Sequence, residues 1–106
     1  MEISARFNPE WHDIGDASFL CAPLTAAQKI TVARLVEVED FGQALYVAAR
    51  YAVTDWKGIT QNDKPVPFTL AAFDDLFADE GTARTLVDLG TFVTNRARLS
   101  EDDEKK

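Results

Sequence analysis

The sequence has few of the residues that mark secreted or membrane proteins. Its 106 residues include a single cysteine, Cys21, which cannot form a disulfide within the chain and is compatible with a reducing compartment. The segment Met1 to Arg6 lacks the basic start and apolar run of a signal peptide. No stretch approaches the roughly 18 consecutive apolar residues of a membrane span. We therefore expect a cytoplasmic protein that is neither exported nor embedded in a membrane.

Motifs for catalysis and cofactor binding are also missing. There is no phosphate-binding glycine loop and no dinucleotide fingerprint. Cys21 follows Leu20 and has no basic neighbour, which is typical of a buried, inert thiol rather than a nucleophile. The only histidine, His12, stands near Glu10 and Asp13; we interpret this group as solvated surface, with a metal-dependent enzyme as the less favoured alternative. We predict no catalytic, cofactor-binding or metal-binding residue and no enzymatic activity.

The charge balance is acidic. With 18 acidic and 11 basic residues the net charge is −7, which opposes approach to a phosphate backbone. We therefore predict no binding to nucleic acid, and a surface suited to solubility or to basic partners.

Helix start signals divide most of the chain into four predicted helices. Thr25 and Gln28 have the spacing of a capping box, which predicts a helix from Thr25. A second helix is predicted from Asp40 to Val53, where Phe41, Leu45, Ala48 and Ala52 recur on one face. A third is predicted from Thr69 to Ala78 and ended by Gly81, and a fourth is predicted to be capped by Thr82.

The remaining segments predict irregular or extended structure. Ile3 to Phe7 and Ser18 to Ala22 lack helical spacing and could pair as a short amino-terminal hairpin. Asp55 to Phe68 contains prolines and a glycine, which predicts a long loop. We predict a mainly α fold: a small domain of about four helices, to which the short amino-terminal hairpin could be added. Residues 1–99 form this single domain, and the polar residues 100–106 form a mobile charged tail.

Aromatic residues are the best candidates for a functional surface. A loop of this length needs internal anchors, and aromatic side chains contribute the most burial, so they either pin the loop to the helices or bind another protein. The candidate loop-anchoring or protein-binding residues are Tyr46, Tyr51, Asp55, Trp56, Pro65, Pro67 and Phe68.

Several of these residues belong to segments that resemble the tail assembly chaperones of long-tailed bacteriophages and prophages. The resemblance covers about residues 18 to 106. Its segments, in chain order, are Ser18 to Thr25 before a helix, Ala48 to Thr60, Pro65-Val66-Pro67-Phe68-Thr69, and Arg98 to Lys106. The most specific part is Asp55-Trp56-Lys57-Gly58-Ile59-Thr60 followed closely by Pro65-Val66-Pro67-Phe68.

The resemblance implies a mainly helical protein without catalytic residues that binds the tape measure protein and helps to recruit the major tail protein. It also implies self-association, a location in the cytoplasm of the bacterial host, and absence from the mature virion. An alternative is a small acidic prophage regulator or inhibitor that binds a basic protein partner.

Contact with the major tail protein would come through a longer, frameshifted product, which many members of the family make. Lys105 and Lys106 suit such an event, since consecutive lysine codons can form a run of adenines. Ser100 and Asp103 have the spacing of a helix start. We therefore predict that Ser100 starts a helix completed only in the longer product.

Overall fold

The computed structural model describes the backbone of residues 9–104 and the side chains of residues 9–96. Its elements are β1 (Glu10–Ile14), β2 (Ala17–Cys21), α1 (Ala26–Glu37), α2 (Phe41–Ala52), β3 (Val53–Lys57), β4 (Thr60–Gln61), β5 (Lys64–Pro65), α3 (Leu70–Leu76), a 3-10 turn (Glu80–Thr82) and α4 (Ala83–Glu104). The described residues therefore combine helices with two antiparallel sheets.

Strands β1, β2 and β3 form an antiparallel sheet with β2 in the centre. β1 and β2 are joined by a turn in which Gly15 has a φ of 59°. β3 follows α2 directly and returns to β2, where Trp56 lies opposite Phe19. Just after β3, Gly58 passes so close to the hairpin that an added Cβ would lie 2.3 Å from the carbonyl oxygen of Asp16. Only glycine fits there, so the sheet depends on this position.

The predicted starts of the first three helices are confirmed. The hydroxyl of Thr25 accepts from the backbone N–H of Gln28, and the Gln28 side chain accepts from the backbone N–H of Thr25. Asp40 caps α2 by accepting from the backbone N–H of Gln43. Thr69 caps α3 by accepting from the backbone N–H of Ala72. These short-range bonds satisfy N–H groups that have no partner inside the helix.

The core lies between α2, α4 and one face of the sheet. α2 contributes its small face, in which Ala44, Ala48, Ala49 and Ala52 are buried. The largest fully buried side chains are Phe19, Phe73 and Leu89, from the sheet, α3 and α4. Because alanine leaves little side-chain bulk, α2 and α4 approach closely.

The prediction of a mainly α fold is wrong, because the chain folds as a helix-rich α+β domain. The segment Asp55 to Phe68, predicted as a loop, contains part of β3 and both strands of a second sheet. β3 was missed because its partner β2 is more than thirty residues away in sequence. Its buried positions, Val53 and Trp56, also do not alternate.

The amino-terminal hairpin is present but is displaced from its predicted position. It pairs Glu10–Ile14 with Ala17–Cys21, so its second strand corresponds to the predicted Ser18 to Ala22. The predicted strand Ile3 to Phe7 lies outside the described residues.

The connection between α3 and α4 differs from the prediction. α3 ends at Leu76, and Gly81 lies in the 3-10 turn rather than at the end of the helix. Asp79 caps this turn by accepting from the backbone N–H of Gly81. The Thr82 hydroxyl donates to the carbonyl oxygens of Leu76 and Asp79, which ties the turn to the end of α3.

The predicted helix start at Ser100 is wrong, because Ser100 lies inside α4, whose backbone is helical to Glu104. The division into residues 1–99 and a mobile tail of residues 100–106 stays a prediction.

Candidate functional site

Trp56 joins the sheet to the proline-rich segment. Its side chain belongs to the core, with 6% of the residue exposed. The indole N–H donates to the carbonyl oxygen of Val66 at 2.7 Å. The ring packs edge-on against Phe68, with centroids 5.1 Å apart, and against Phe19 at 6.4 Å. Trp56 and Phe68 thus make the contacts that anchoring of this segment requires.

Tyr46 takes part in a polar network that links α2 to α3. Its hydroxyl donates to Asp74 Oδ1 at 2.6 Å, and Arg50 donates from Nε to Oδ1 at 2.9 Å and from Nη2 to Oδ2 at 3.2 Å. Hydrogen bonds from Arg50 and Tyr46 lower the pKa of Asp74, and the bond to Asp74 raises the pKa of Tyr46. Asp74 therefore fixes α3 on α2.

The other predicted site residues do not converge on one point. Asp55 accepts a hydrogen bond from the backbone N–H of Trp56 at 2.8 Å. Pro65 lies in β5 and is exposed, as is Pro67. Tyr51 is 37% exposed on α2. Whether any of the candidate residues contacts a partner stays a prediction.

An open cleft of about 520 Å³ lies beside Trp56, between α3 and the ribbon formed by β4 and β5. We call it the ribbon cleft. Ile59, Val66 and Leu76 line it together with Trp56, and the carboxylate-bearing residues Asp75 and Asp79 lie along its α3 side. It combines an apolar lining with acidic groups.

A second surface, which the sequence interpretation missed, is the side of α1 that faces solvent. Val32 is the buried residue of α1. The opposite side carries exposed residues spaced i, i+4, i+7 and i+11, namely Ala26, Ile30, Ala33 and Glu37. We call this set the α1 outer face. Ile30 is 57% exposed at its centre, so apolar side chains lie on both sides of the helix.

More apolar side chains are exposed where α1 meets α2. Val38 is 72% exposed and Phe41 is 58% exposed, although Phe41 shares the helical spacing of the buried Ala48 and Ala52. The sequence could have indicated this surface, because Ile30 and Val32 cannot face the same neighbour in one helix. A helix that is apolar on opposite sides is normally covered on both.

The side chains considered for chemistry are bonded elsewhere. His12 stacks on Phe92 at 4.1 Å, and its Nε2 lies 3.1 Å from Asp88 Oδ1. Glu10 pairs with Arg96 at 3.4 Å. Within the described part of the chain, no group of three or more histidine, cysteine or acidic side chains is placed to hold a metal ion.

Cys21 is buried, as its apolar surroundings predicted. Burial raises the pKa of its thiol to about 11, so little thiolate forms near neutral pH. This disfavours a role as a nucleophile.

Comparison with protein-family models, curated proteins and solved structures found no match to the chain. Among the described helices, none combines the length and the apolar character needed to cross a membrane.

Proposed function

We propose that this protein is a phage tail assembly chaperone, acting by protein binding rather than by catalysis. The observation that carries the proposal is the α1 outer face, where Ile30 is flanked by Ala26 and Ala33 and left exposed. The sequence resemblance supplies the partner, the tape measure protein. A long helical protein exposes apolar seams until the tail tube closes around it, and such seams need a cover.

The α1 outer face suits helix-on-helix packing. Helices pack with axes about 8–10 Å apart, and small residues allow the closer end of that range. Ala26 and Ala33 leave shallow gaps on either side of Ile30, into which a partner's larger side chains can fit. Complete burial of an aliphatic side chain contributes about 1.5–3 kcal/mol, and since 57% of Ile30 is still exposed, covering it contributes about 1–2 kcal/mol. With the exposed Val38 and Phe41, where α1 meets α2, this contact supports reversible binding, as a transient chaperone requires.

The rest of the proposed role follows from the family resemblance. The protein self-associates, works in the cytoplasm of the bacterial host and is absent from the mature virion. Recruitment of the major tail protein occurs through a longer, frameshifted product. Reading the gene tests that step: without a slippery run in the last codons, or with early closure of the shifted frame, the longer product does not exist.

The central test is co-expression with the long helical protein encoded beside this chain's gene, followed by affinity capture and identification of that protein. Wild type is expected to keep it soluble and to co-purify with it. The variant Ile30→Lys is expected to lose both effects, because it places a charge in the apolar contact.

The matched control is Val87→Lys. Val87 is 51% exposed on α4, so this change has the same chemistry at a similar exposure on another helix. If both lysine variants capture the long helical protein equally well, α1 is not part of the interface. Failure of wild type to bind the long protein would contradict the chaperone proposal itself.

The runner-up, a small acidic regulator that binds a basic partner, is supported by Asp75 and Asp79 along the ribbon cleft. Gene neighbourhood separates the two functions. A chaperone gene is expected between the genes for a major tail protein and a very long helical protein.

A further inference from the structure

The ribbon cleft has the size and lining of a site for a few side chains. Its volume of about 520 Å³ falls within the roughly 300–1,000 Å³ of typical ligand pockets. Its apolar lining comes from three separate parts of the chain, represented by Trp56, Val66 and Leu76. An apolar group placed there would lose contact with water on several sides.

The two walls of the cleft are fixed by hydrogen bonds within the protein. The ribbon is held at its base by the bond from the Trp56 indole to Val66 and by the bond from the Val66 N–H to the Ile59 carbonyl oxygen, at 2.7 and 2.9 Å. α3 is held by the bonds of Asp74 to Arg50 and Tyr46. Because these contacts order the walls before a ligand arrives, binding requires little further ordering.

The charge along the cleft has one sign. Asp75 and Asp79 contribute carboxylates, and none of the described lysine or arginine residues lines the cleft. Both aspartates are exposed at the surface of the molecule. A cation bound beside the apolar lining would be attracted by these two groups without displacing an ion pair within the cleft.

We propose that the ribbon cleft binds a short segment of a partner protein that carries a lysine or arginine next to aliphatic residues. An aliphatic side chain packs against Ile59, Val66 and Leu76, and the basic group lies against Asp75 and Asp79. The basic group alone is not enough, because exposed ion pairs are weak. The aliphatic side chain alone is not enough either, because it makes no interaction with the two carboxylates. The proposal does not depend on the α1 outer face or on the identity of its partner.

The test uses four defined probes: short synthetic peptides of one length that alternate leucine with lysine, leucine with glutamate, and serine with lysine, and the polyamine spermine. Binding is followed by NMR at the indole N–H of Trp56. Trp11 is the only other tryptophan, so the Trp11→Phe variant identifies this resonance. We expect the leucine-lysine peptide to shift it and to bind at least about tenfold more tightly than the other three probes, a difference of about 1.4 kcal/mol.

Charge variants locate the contact. Asp75→Asn with Asp79→Asn keeps the side-chain shapes and is expected to weaken the leucine-lysine peptide about tenfold. The control pair Asp16→Asn with Glu39→Gln removes the same charge from exposed residues that line neither the cleft nor the α1 outer face, and is expected to leave binding unchanged. Circular dichroism checks that all variants fold.

The proposal is overturned by the absence of binding to wild type, or by equal binding of the leucine-glutamate peptide. Equal binding of the serine-lysine peptide or of spermine would reduce the site to a non-specific cation surface. An equal loss in both charge variants would place the contact elsewhere on the acidic protein.

Discussion

Gly90 of α4 lies directly against Leu45 of α2. A Cβ added to Gly90 would lie 2.8 Å from both the Cβ and the carbonyl oxygen of Leu45, closer than real side-chain contacts allow. Gly90 thus sets how closely the two main core helices approach.

The contact predicts opposite effects for two glycine-to-alanine changes. Gly90→Ala is expected to lower the free energy of unfolding by about 1–3 kcal/mol, because α2 and α4 must separate. Gly42→Ala is the control: Gly42 lies in the first turn of α2 with nothing within 4 Å of an added Cβ, so a gain of up to about 1 kcal/mol is expected. Urea unfolding measures both. If Gly90→Ala leaves the free energy of unfolding unchanged, α2 and α4 can move apart without a loss of stability.

Removing Trp56 tests whether it anchors the proline-rich segment. Trp56→Ala is expected to cost about 3–5 kcal/mol, since the ring is buried and its N–H holds Val66. Trp11→Ala is the control, because Trp11 is 38% exposed and its ring lies beneath Lys57. This substitution is expected to lower the free energy of unfolding by about 1 kcal/mol or less. If Trp56→Ala lowers the free energy of unfolding by less than about 1 kcal/mol and the fold is retained, Trp56 is a surface residue available to a partner.

The Asp74 network predicts a loss of stability in acid. Arg50 and Tyr46 hold the pKa of Asp74 below its usual value. The carboxylate of Asp74 is therefore protonated more readily in the unfolded chain than in the folded one. The contribution of ionised Asp74 to the free energy of unfolding is therefore complete above about pH 5. It is lost as the pH falls through about 4 towards the pKa of Asp74 in the folded protein.

Unfolding of wild type and Asp74→Asn across a pH series measures the effect. The difference between them is expected to be largest near neutral pH and to shrink in acid. A difference that stays constant over the whole series would mean that the charge of Asp74 does not contribute.

Self-association is expected to depend on the same α1 surface that the chaperone proposal uses. Light scattering over a concentration series should show a rising mass for wild type and a constant monomer mass for Ile30→Lys, with Val87→Lys behaving like wild type. A wild-type protein that remains monomeric at high concentration would argue against self-association.

The sequence by itself determined the helices whose starts depend on short-range bonds. Thr25, Asp40 and Thr69 each accept a backbone N–H three residues further along the chain. Such a bond forms between chain neighbours, so the residue types and their spacing are enough to predict it.

Only the tertiary structure decided the features that join distant parts of the chain. β3 exists because it completes a sheet with β2, and Asp74 is bonded because folding brings Arg50, 24 residues away, into reach. Helical periodicity fixes which residues of α1 share a face, but whether Val32 or Ile30 is covered depends on where α2 packs. Burial is a property of the surroundings of a residue, and those surroundings come from other segments.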